Sequence, residues 1–306
     1  MNRWRAAGRA IALIGATWLC AVGAHAASLA QRFCDHPSPL SAREQDRLLR
    51  FAAIARRELD ASGGEVALVA RSGLNLSRFH VRYSHAGISV KDSAHANWAV
   101  RQLYYACEEG RPRLFDQGLP GFLFGTDDPA LGYLSIVLLP RDGGADVQRT
   151  ARDNARVLRL LAGSYSANAY PFSLLHQNCN QWVMELLAAA WGSLDGDADL
   201  RARAQAWLIE HDYQPRTIDV GSHLLMFAGT FIPWIRYDDH PEDDRYALRF
   251  RVSVPSAIEA FVRAREPQAQ RIELCHDGAR VVIHRGWDDV AEGCIPGADD
   301  RVVMLD

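Results

Sequence analysis

Short apolar runs and helically spaced apolar positions alternate along this chain, a pattern typical of a protein built from both strands and helices. Apolar residues at helical spacing predict helices over residues 41–59, 147–162, 180–190, 199–211 and 256–264. Continuous or alternating apolar runs predict strands over residues 66–70, 83–90, 97–105, 133–139, 249–254 and 280–284. Ser41 and Glu44 have the capping-box spacing that opens the first helix. The pattern as a whole predicts a protein that contains both helices and strands.

Two stretches are less regular. Residues 114–129 are rich in Gly, Phe and Asp and are interpreted as a long loop; such loops often border an active site, although plain surface coverage is the commoner explanation. Residues 218–235 are apolar and approach the length of a membrane span. His223, Gly229 and Pro233 interrupt that run, so a buried helix or paired segments are predicted there instead of a span.

Cys179 lies at the point where a helical pattern begins, with Asn178 before it and Trp182 in the first turn. The positive end of a helix dipole and its unpaired backbone N–H groups favour a thiolate at such a position. A thiolate attacks carbonyl carbon, so Cys179 is a candidate nucleophile. Gln177 or the backbone N–H of Cys179 would then donate to the oxyanion. A buried structural cysteine explains this segment equally well.

A cysteine nucleophile needs a base, and the base needs a group that orients its ring. His85, on one predicted strand, is the candidate base, and Gln102, on the next, is the candidate orienting residue. His95 is an alternative third member, although a solvent-exposed histidine in a turn is the simpler interpretation. His176 is an alternative base next to the cysteine. The residues expected to line the site are Tyr83, Gln177, Asn178, Trp182, His95 and His176.

The first 26 residues have the features of an export signal. Three arginines precede an apolar run over residues 10–22, and Ala24-His25-Ala26 fits a small-residue cleavage site. We expect cleavage after Ala26 and a soluble periplasmic or secreted protein, with an uncleaved anchor as the alternative.

Five cysteines remain after this leader, and an odd number in an oxidising compartment indicates two bridges and one thiol. Cys275 and Cys294 flank a predicted hairpin and form one expected pair. Cys34 with Cys107 would tie the N-terminal segment to the sheet. This pairing leaves Cys179 as the thiol.

The remaining composition excludes several classes of function. A net charge of −3 and the lack of a basic stripe argue against a nucleic-acid partner. The chain contains no CxxC motif, phosphate loop or dinucleotide fingerprint, so neither a metal nor a cofactor is predicted. Asp238-Asp239-His240-Pro241 invites a metal interpretation, but a turn capped by aspartate is preferred because the sequence fixes no further ligands.

Two motifs carry a resemblance to known families. Tyr83-Ser84-His85-Ala86-Gly87 followed by Gln177-Asn178-Cys179-Asn180-Gln181-Trp182 resembles the circularly permuted members of the NlpC/P60 papain-like superfamily, which include lecithin retinol acyltransferase-like proteins. With Arg71-Ser72-Gly73 and Asp238-Asp239-His240-Pro241, the chain resembles, over roughly residues 33–256, an uncharacterised bacterial family called domain of unknown function 2145. That family has a histidine where this chain has Gln102. Glutamine accepts an imidazole N–H but supplies no charge to stabilise an imidazolium.

The resemblance implies an α+β fold with a permuted papain-like core, in which an antiparallel sheet packs on the helix that bears Cys179. The expected organisation is a signal peptide over residues 1–26, a core with an N-terminal helix over 27–195, and a family-specific α/β extension over 196–306. The implied function is an exported thiol hydrolase or acyl transferase with a Cys179-His85-Gln102 triad. Its substrate would be a peptidoglycan peptide, another amide or a lipid ester. The alternative is a non-catalytic envelope protein that binds or assembles on the same fold. Membrane association is not predicted, and the oligomeric state is left open.

Overall fold

The computed structural model describes residues 40–93, 95–196 and 198–305. The predicted leader and Cys34 lie outside these residues. The helices are α1 (Ala42–Ala61), α2 (Leu119–Leu123), α3 (Arg141–Arg152), α4 (Asn154–Arg159), α5 (Cys179–Trp191), α6 (Leu200–Glu210), α7 (His223–Gly229), α8 (Glu242–Ala247) and α9 (Pro255–Arg265). The strands are β1 (Val66–Arg71), β2 (His85–Asp92), β3 (Asn97–Ala106), β4 (Arg111–Gln117), β5 (Gly132–Leu138), β6 (Arg216–Asp219), β7 (Arg249–Val252), β8 (Gln270–His276), β9 (Arg280–Arg285) and β10 (Arg301–Met304).

Eight strands form one sheet in the order β10-β9-β8-β5-β1-β2-β3-β4, and every neighbouring pair in it is antiparallel. The predicted mixed α+β class with an antiparallel sheet is therefore confirmed. Three strands that follow residue 195 are hydrogen-bonded into this same sheet through the β5–β8 pair. β6 and β7 form a separate two-stranded ribbon.

The sheet separates two apolar clusters, because successive side chains of a strand point to opposite faces. On one face, Leu68, Ala86 and Ile88 pack with residues of α3, α5, α6 and α9. On the other face, Val69, Val100 and Leu134 pack with residues of α1 and α2. This division decides which polar side chains can meet.

The helix that bears Cys179 is the centre of the first cluster. All of its residues from Cys179 to Ala190 are buried, as expected for a helix that is covered on every side. Its N-terminus is defined by Asn178, whose side-chain oxygen accepts the backbone N–H of Gln181 at 2.7 Å. Such a cap contributes about 1 kcal/mol to helix stability.

Two predicted elements differ from the structure. The stretch 114–129 is not one long loop, because it contains the end of β4 and the short helix α2, whose Leu119 and Phe122 are buried. Leu119, Phe122 and Leu123 are therefore core residues, whereas Phe115 is exposed. The helix predicted over 147–162 begins earlier and is broken at Asp153, which leaves the helical region and caps α4 by accepting the N–H of Arg156.

The apolar stretch 218–235 was expected to form a buried helix or paired segments. Its beginning lies in β6 and its middle forms the short helix α7. The buried interpretation is wrong for α7, because Leu224 and Phe227 are exposed. No helix within the described ranges is long and apolar enough to cross a membrane.

The predicted Cys275–Cys294 disulfide is confirmed, with the two Cα atoms 5.7 Å apart. It ties β8 to the segment before β10. Cys107 is also disulfide-bonded, and Cys34, its expected partner, lies outside the described residues.

Candidate functional site: an apolar cleft at the end of the sheet

His85 begins β2 and is held by its neighbours on β3. Its Nε2 lies 2.8 Å from Oε1 of Gln102, and its ring stacks on Tyr104 with the ring centroids 4.6 Å apart. Nε2 of Gln102 in turn donates to Oε1 of Gln117 at 2.9 Å, which leaves Gln102 Oε1 as the acceptor. Nε2 of His85 is therefore the protonated nitrogen of a neutral ring.

The imidazole is uncharged at neutral pH. Burial, together with the nearby guanidinium of Arg71, lowers the pKa of His85 to about 3, although the hydrogen bond to Gln102 acts in the opposite direction. A cation in this position would lose its hydration and face a second positive charge.

The alternation of side chains along β2 places His85 and Cys179 on different sides of the sheet. Gly87 lies two residues after His85 on the same strand, so side chains at the two positions point to the same face of the sheet. A Cβ atom at Gly87 would contact Val100 and Gln102 on the face that α1 and α2 cover. Cys179 belongs to the cluster of the other face, and it is 6 % exposed. The structure thus brings His85 and Gln102 together but directs His85 away from the face that α5 covers.

Three of the residues expected to line the site hold the cysteine segment in place. Gln177 accepts the N–H of Ala162 and donates to the carbonyl of Leu160 and to Glu185, so its amide is used entirely within the core. Asn178 caps α5 and donates to two backbone carbonyls. The ring of Trp182 is fully buried, and its N–H points at the carbonyl of Val157.

The other three are also engaged elsewhere. The hydroxyl of Tyr83 donates to the buried carboxylate of Glu273, on the α5 face. His95 is exposed, and its Nε2 lies 3.4 Å from Asp116. His176 bridges two segments, with Nδ1 at 2.9 Å from Ser164 Oγ and Nε2 at 2.9 Å from Asp238 Oδ1.

The Asp238-Asp239-His240-Pro241 motif is a clamp on the loop that precedes Cys179. Asp239 accepts the N–H of Tyr170 at 2.8 Å, and Nε2 of His240 lies 2.7 Å from the carbonyl oxygen of Asn168. Within the described residues, no group of three or more His, Cys, Asp or Glu side chains could hold a metal ion. The expected aspartate turn therefore fixes a tertiary contact.

Beyond the ends of β1 and β3 lies a cleft of about 1350 Å³. One wall is formed by the sheet end and its loops, and the opposite wall by the β6–β7 ribbon and α7. His85 and Asn180 line the cleft, whereas the lining does not include Cys179. The apolar lining residues of the two walls include Leu74, Leu76, Phe79, Tyr104, Tyr105 and Phe115, and Ile218, Val220, Leu225, Ile232, Trp234, Ile235, Phe250 and Val252.

Arg71 is one of the charged residues that line the cleft, together with Arg78, Glu108, Glu109 and Asp127, and sequence reasoning gave it no role. It is 3 % exposed; it donates to the carbonyl of Gly125 and to the hydroxyl of Tyr104, the latter at 2.9 Å, and its guanidinium lies over the ring of Phe122. A side chain at Gly73 or Gly125 would clash with this guanidinium. The sequence feature that could have indicated a role for Arg71 is an arginine at the end of an apolar strand with a glycine two residues later.

The fold and the cleft define an α+β protein in which one antiparallel sheet carries a large apolar cleft at its end. A family model described as "Uncharacterized protein conserved in bacteria (DUF2145)" matches residues 58–262, and the chain belongs to that family. No curated protein and no solved structure matches the chain.

Proposed function

We propose that this protein binds an elongated amphiphile, a molecule with an apolar chain and one polar end, in the cleft. The single observation that carries the proposal is the lining of the cleft. Its volume of about 1350 Å³ is larger than the ~300–1,000 Å³ of ordinary small-molecule sites. Apolar side chains dominate both walls. A long hydrocarbon chain therefore gains more binding free energy from burial in this cleft than a compact polar ligand does.

The polar end of the ligand would lie at the sheet end of the cleft. Arg71 supplies a permanent positive charge there, and neutral His85, Ser84 and Asn180 supply uncharged polar groups. Asp127 also lines this region, and burial raises the pKa of its carboxyl. A head group that accepts hydrogen bonds is the best match for this set.

The predicted export signal would deliver such a protein to the cell envelope, where amphiphiles are abundant. The proposal corresponds to the non-catalytic alternative that the sequence left open. It also accounts for Gln102, because an amide is sufficient to orient a neutral imidazole that never has to become a cation.

A second candidate is a thiol hydrolase or acyl transferase on a permuted papain-like, NlpC/P60-like core. The hydrogen bond between His85 and Gln102 and the capped helix start at Cys179 favour it. The position of His85 and Cys179 on opposite faces of the sheet weighs against it, since a base and its nucleophile must be within hydrogen-bond reach. The amphiphile-binding function therefore has the stronger support.

Fluorescence quenching tests the binding function, because Trp234 lines the cleft. We expect a fatty acid brominated on its chain to quench the protein in a saturable manner. Trp234→Phe should abolish most of the saturable quenching. Trp287→Phe is the matched control, since Trp287 packs beside Arg263 outside the cleft.

Two results would overturn the proposal. One is the absence of saturable quenching in the unmodified protein. The other is saturable quenching that persists in Trp234→Phe and disappears in Trp287→Phe. As a further check, Ala106→Trp places a large ring in the cleft lining and should lower the affinity for the same fatty acid.

A further inference from the structure

Three large apolar side chains are exposed together on α7 and the turn that follows it. Leu224, Phe227 and Phe231 are 76, 59 and 73 % exposed. Their spacing of three and four residues places them on one side of a helical turn. The rings of Phe227 and Phe231 meet edge to face with centroids 5.2 Å apart. We call these three residues the α7 patch.

The chain around the patch contains no formal charge. From Val220 to Ile235 there is no Asp, Glu, Lys or Arg, and Arg236 follows directly. Protein–protein interfaces combine an apolar centre with a polar rim and bury about 800 Å² per partner. Three side chains, at roughly 150–250 Å² for each aromatic ring, do not reach that area. The small area of the α7 patch and its lack of charge are suited to shallow insertion into a lipid layer. In such insertion an apolar helix face enters the boundary between head groups and acyl chains by about 5–10 Å.

The other side of the same segment faces the cleft. Leu225, Ala228 and Ile232 alternate with the patch residues and line the cleft wall. One uncharged segment is therefore apolar towards the cleft and apolar towards the outside. An amphiphile that leaves a lipid layer at this segment meets apolar side chains both on the exposed patch and on the cleft wall.

We propose that the α7 patch docks on a lipid surface and that the cleft takes its amphiphile directly from that surface. The inference rests on the proposed binding function for the identity of the cargo. The docking itself depends only on the patch. No covalent step is involved, and the partner is the boundary between head groups and hydrocarbon.

Sedimentation with sucrose-loaded phosphatidylcholine vesicles tests the docking on the full chain. We expect the unmodified protein to sediment with the vesicles. The triple variant Leu224→Ser, Phe227→Ser, Phe231→Ser should lower the partition coefficient by more than about 100-fold. The matched control is Leu174→Ser, Leu175→Ser, Ile209→Ser, which removes three apolar side chains that are 52, 59 and 57 % exposed elsewhere. It should sediment as the unmodified protein does.

Circular dichroism verifies that both variants are folded, since the substituted side chains are exposed. Failure of the unmodified protein to sediment would overturn docking, as would equal losses in the patch variant and the control. A third outcome would also overturn docking on lipid: the unmodified protein does not bind vesicles but forms oligomers, and the patch variant does not form them. That result would assign the α7 patch to contact with a second copy of the chain.

A second measurement separates this inference from the proposed function. Brominated fatty acid is supplied either from cyclodextrin in solution or from vesicles, and quenching of Trp234 is followed. We expect the patch variant to bind from cyclodextrin with unchanged affinity but to load from vesicles at least about tenfold more slowly. Equal loading rates from vesicles would overturn the delivery route while leaving the cleft function intact. Vesicle binding without quenching from either source would remove the cleft function while leaving the docking surface.

Discussion

His85 and Gln102 are joined by a hydrogen bond of 2.8 Å on the sheet face opposite to the helix that begins at Cys179. A histidine oriented by an amide would usually suggest a neighbouring nucleophile. Here the ring lies beside Tyr104 at the end of a large apolar cleft. Under the proposed binding function, the pair is a neutral polar element of the cleft lining.

Replacing Gln102 tests how much this hydrogen bond stabilises the fold. Gln102→Met keeps the length of the side chain but leaves the His85 N–H buried without its acceptor. We expect the free energy of unfolding to fall by about 1–3 kcal/mol in urea titrations. The exposed Gln214→Met is the control, and its effect should stay within about 0.5 kcal/mol. Equal losses in the two variants would refute a stabilising role for the bond.

The thiol of Cys179 distinguishes the two candidate functions. Because Cys179 is buried and lies on the other face from His85, we expect iodoacetamide to alkylate it slowly in the native state and rapidly only after unfolding. His85→Gln should leave the native rate unchanged. The measurement is mass spectrometry of the alkylated peptide over time. A fast native reaction that His85→Gln suppresses would favour the thiol enzyme instead of the binding protein.

The depressed pKa of His85 predicts a loss of stability in acid. Its pKa is lowered to about 3 in the folded state from 6.5. In this interval the unfolded chain binds a proton that the folded protein does not. The contribution of neutral His85 to the free energy of unfolding is therefore fully present above pH 6.5 and is lost as the pH falls towards 3. At pH 4.5 the loss relative to pH 7 is about 3 kcal/mol as an order of magnitude.

Comparison with His85→Gln isolates this effect. Burial also lowers the pKa of His276 to about 4 and raises that of Glu259 to about 7, and Glu259 changes stability in the opposite direction over part of this range. Both groups are present in the variant, so their contributions cancel in the difference. We expect urea unfolding at the two pH values to give a smaller acid loss in His85→Gln. An identical loss in both proteins would contradict the assignment.

A buried ion pair fixes the helix of Cys179 against α6. Arg201 donates to the fully buried carboxylate of Glu185 at 2.8 Å, and Gln177 and Gln205 donate to the same carboxylate. Arg201→Met should lower the free energy of unfolding by about 3–5 kcal/mol, because it leaves a buried charge without its partner. Adding Glu185→Gln should recover part of that loss.

The control for this prediction is an exposed pair of an arginine and a carboxylate. Arg149 and Asp146 lie 2.6 Å apart on the surface of α3, and Arg149→Met should change stability by no more than about 1 kcal/mol. Both variants are compared by chemical unfolding. A loss for Arg201→Met as small as that of the surface pair would mean that the Glu185 cluster does not stabilise the fold.

Local sequence patterns were sufficient for most of the secondary structure. The capping box at Ser41 and Glu44 is present, and the strands at Val66, Asn97 and Tyr133 were found, because each depends on neighbours within a few residues. The strands β4, β6, β8 and β10 were not predicted, and the break at Asp153 and the helix α2 were missed. In the last two cases tertiary packing or a local cap overrides the apolar spacing on which the prediction relied.

The sequence by itself determined the α+β class, the Cys275–Cys294 disulfide, the start of a helix at Cys179 and the family to which the chain belongs. It also suggested His85 and Gln102 as a pair, since adjacent strands of a hairpin place their side chains together. Only the tertiary structure decided that Cys179 lies behind the other face, that Arg71 lies at the sheet end of a cleft, and that α7 is exposed. The physical reason is that strand parity, register and long-range packing determine which side of a sheet a residue meets. A sequence pattern carries periodicity but does not say which face each distant helix covers.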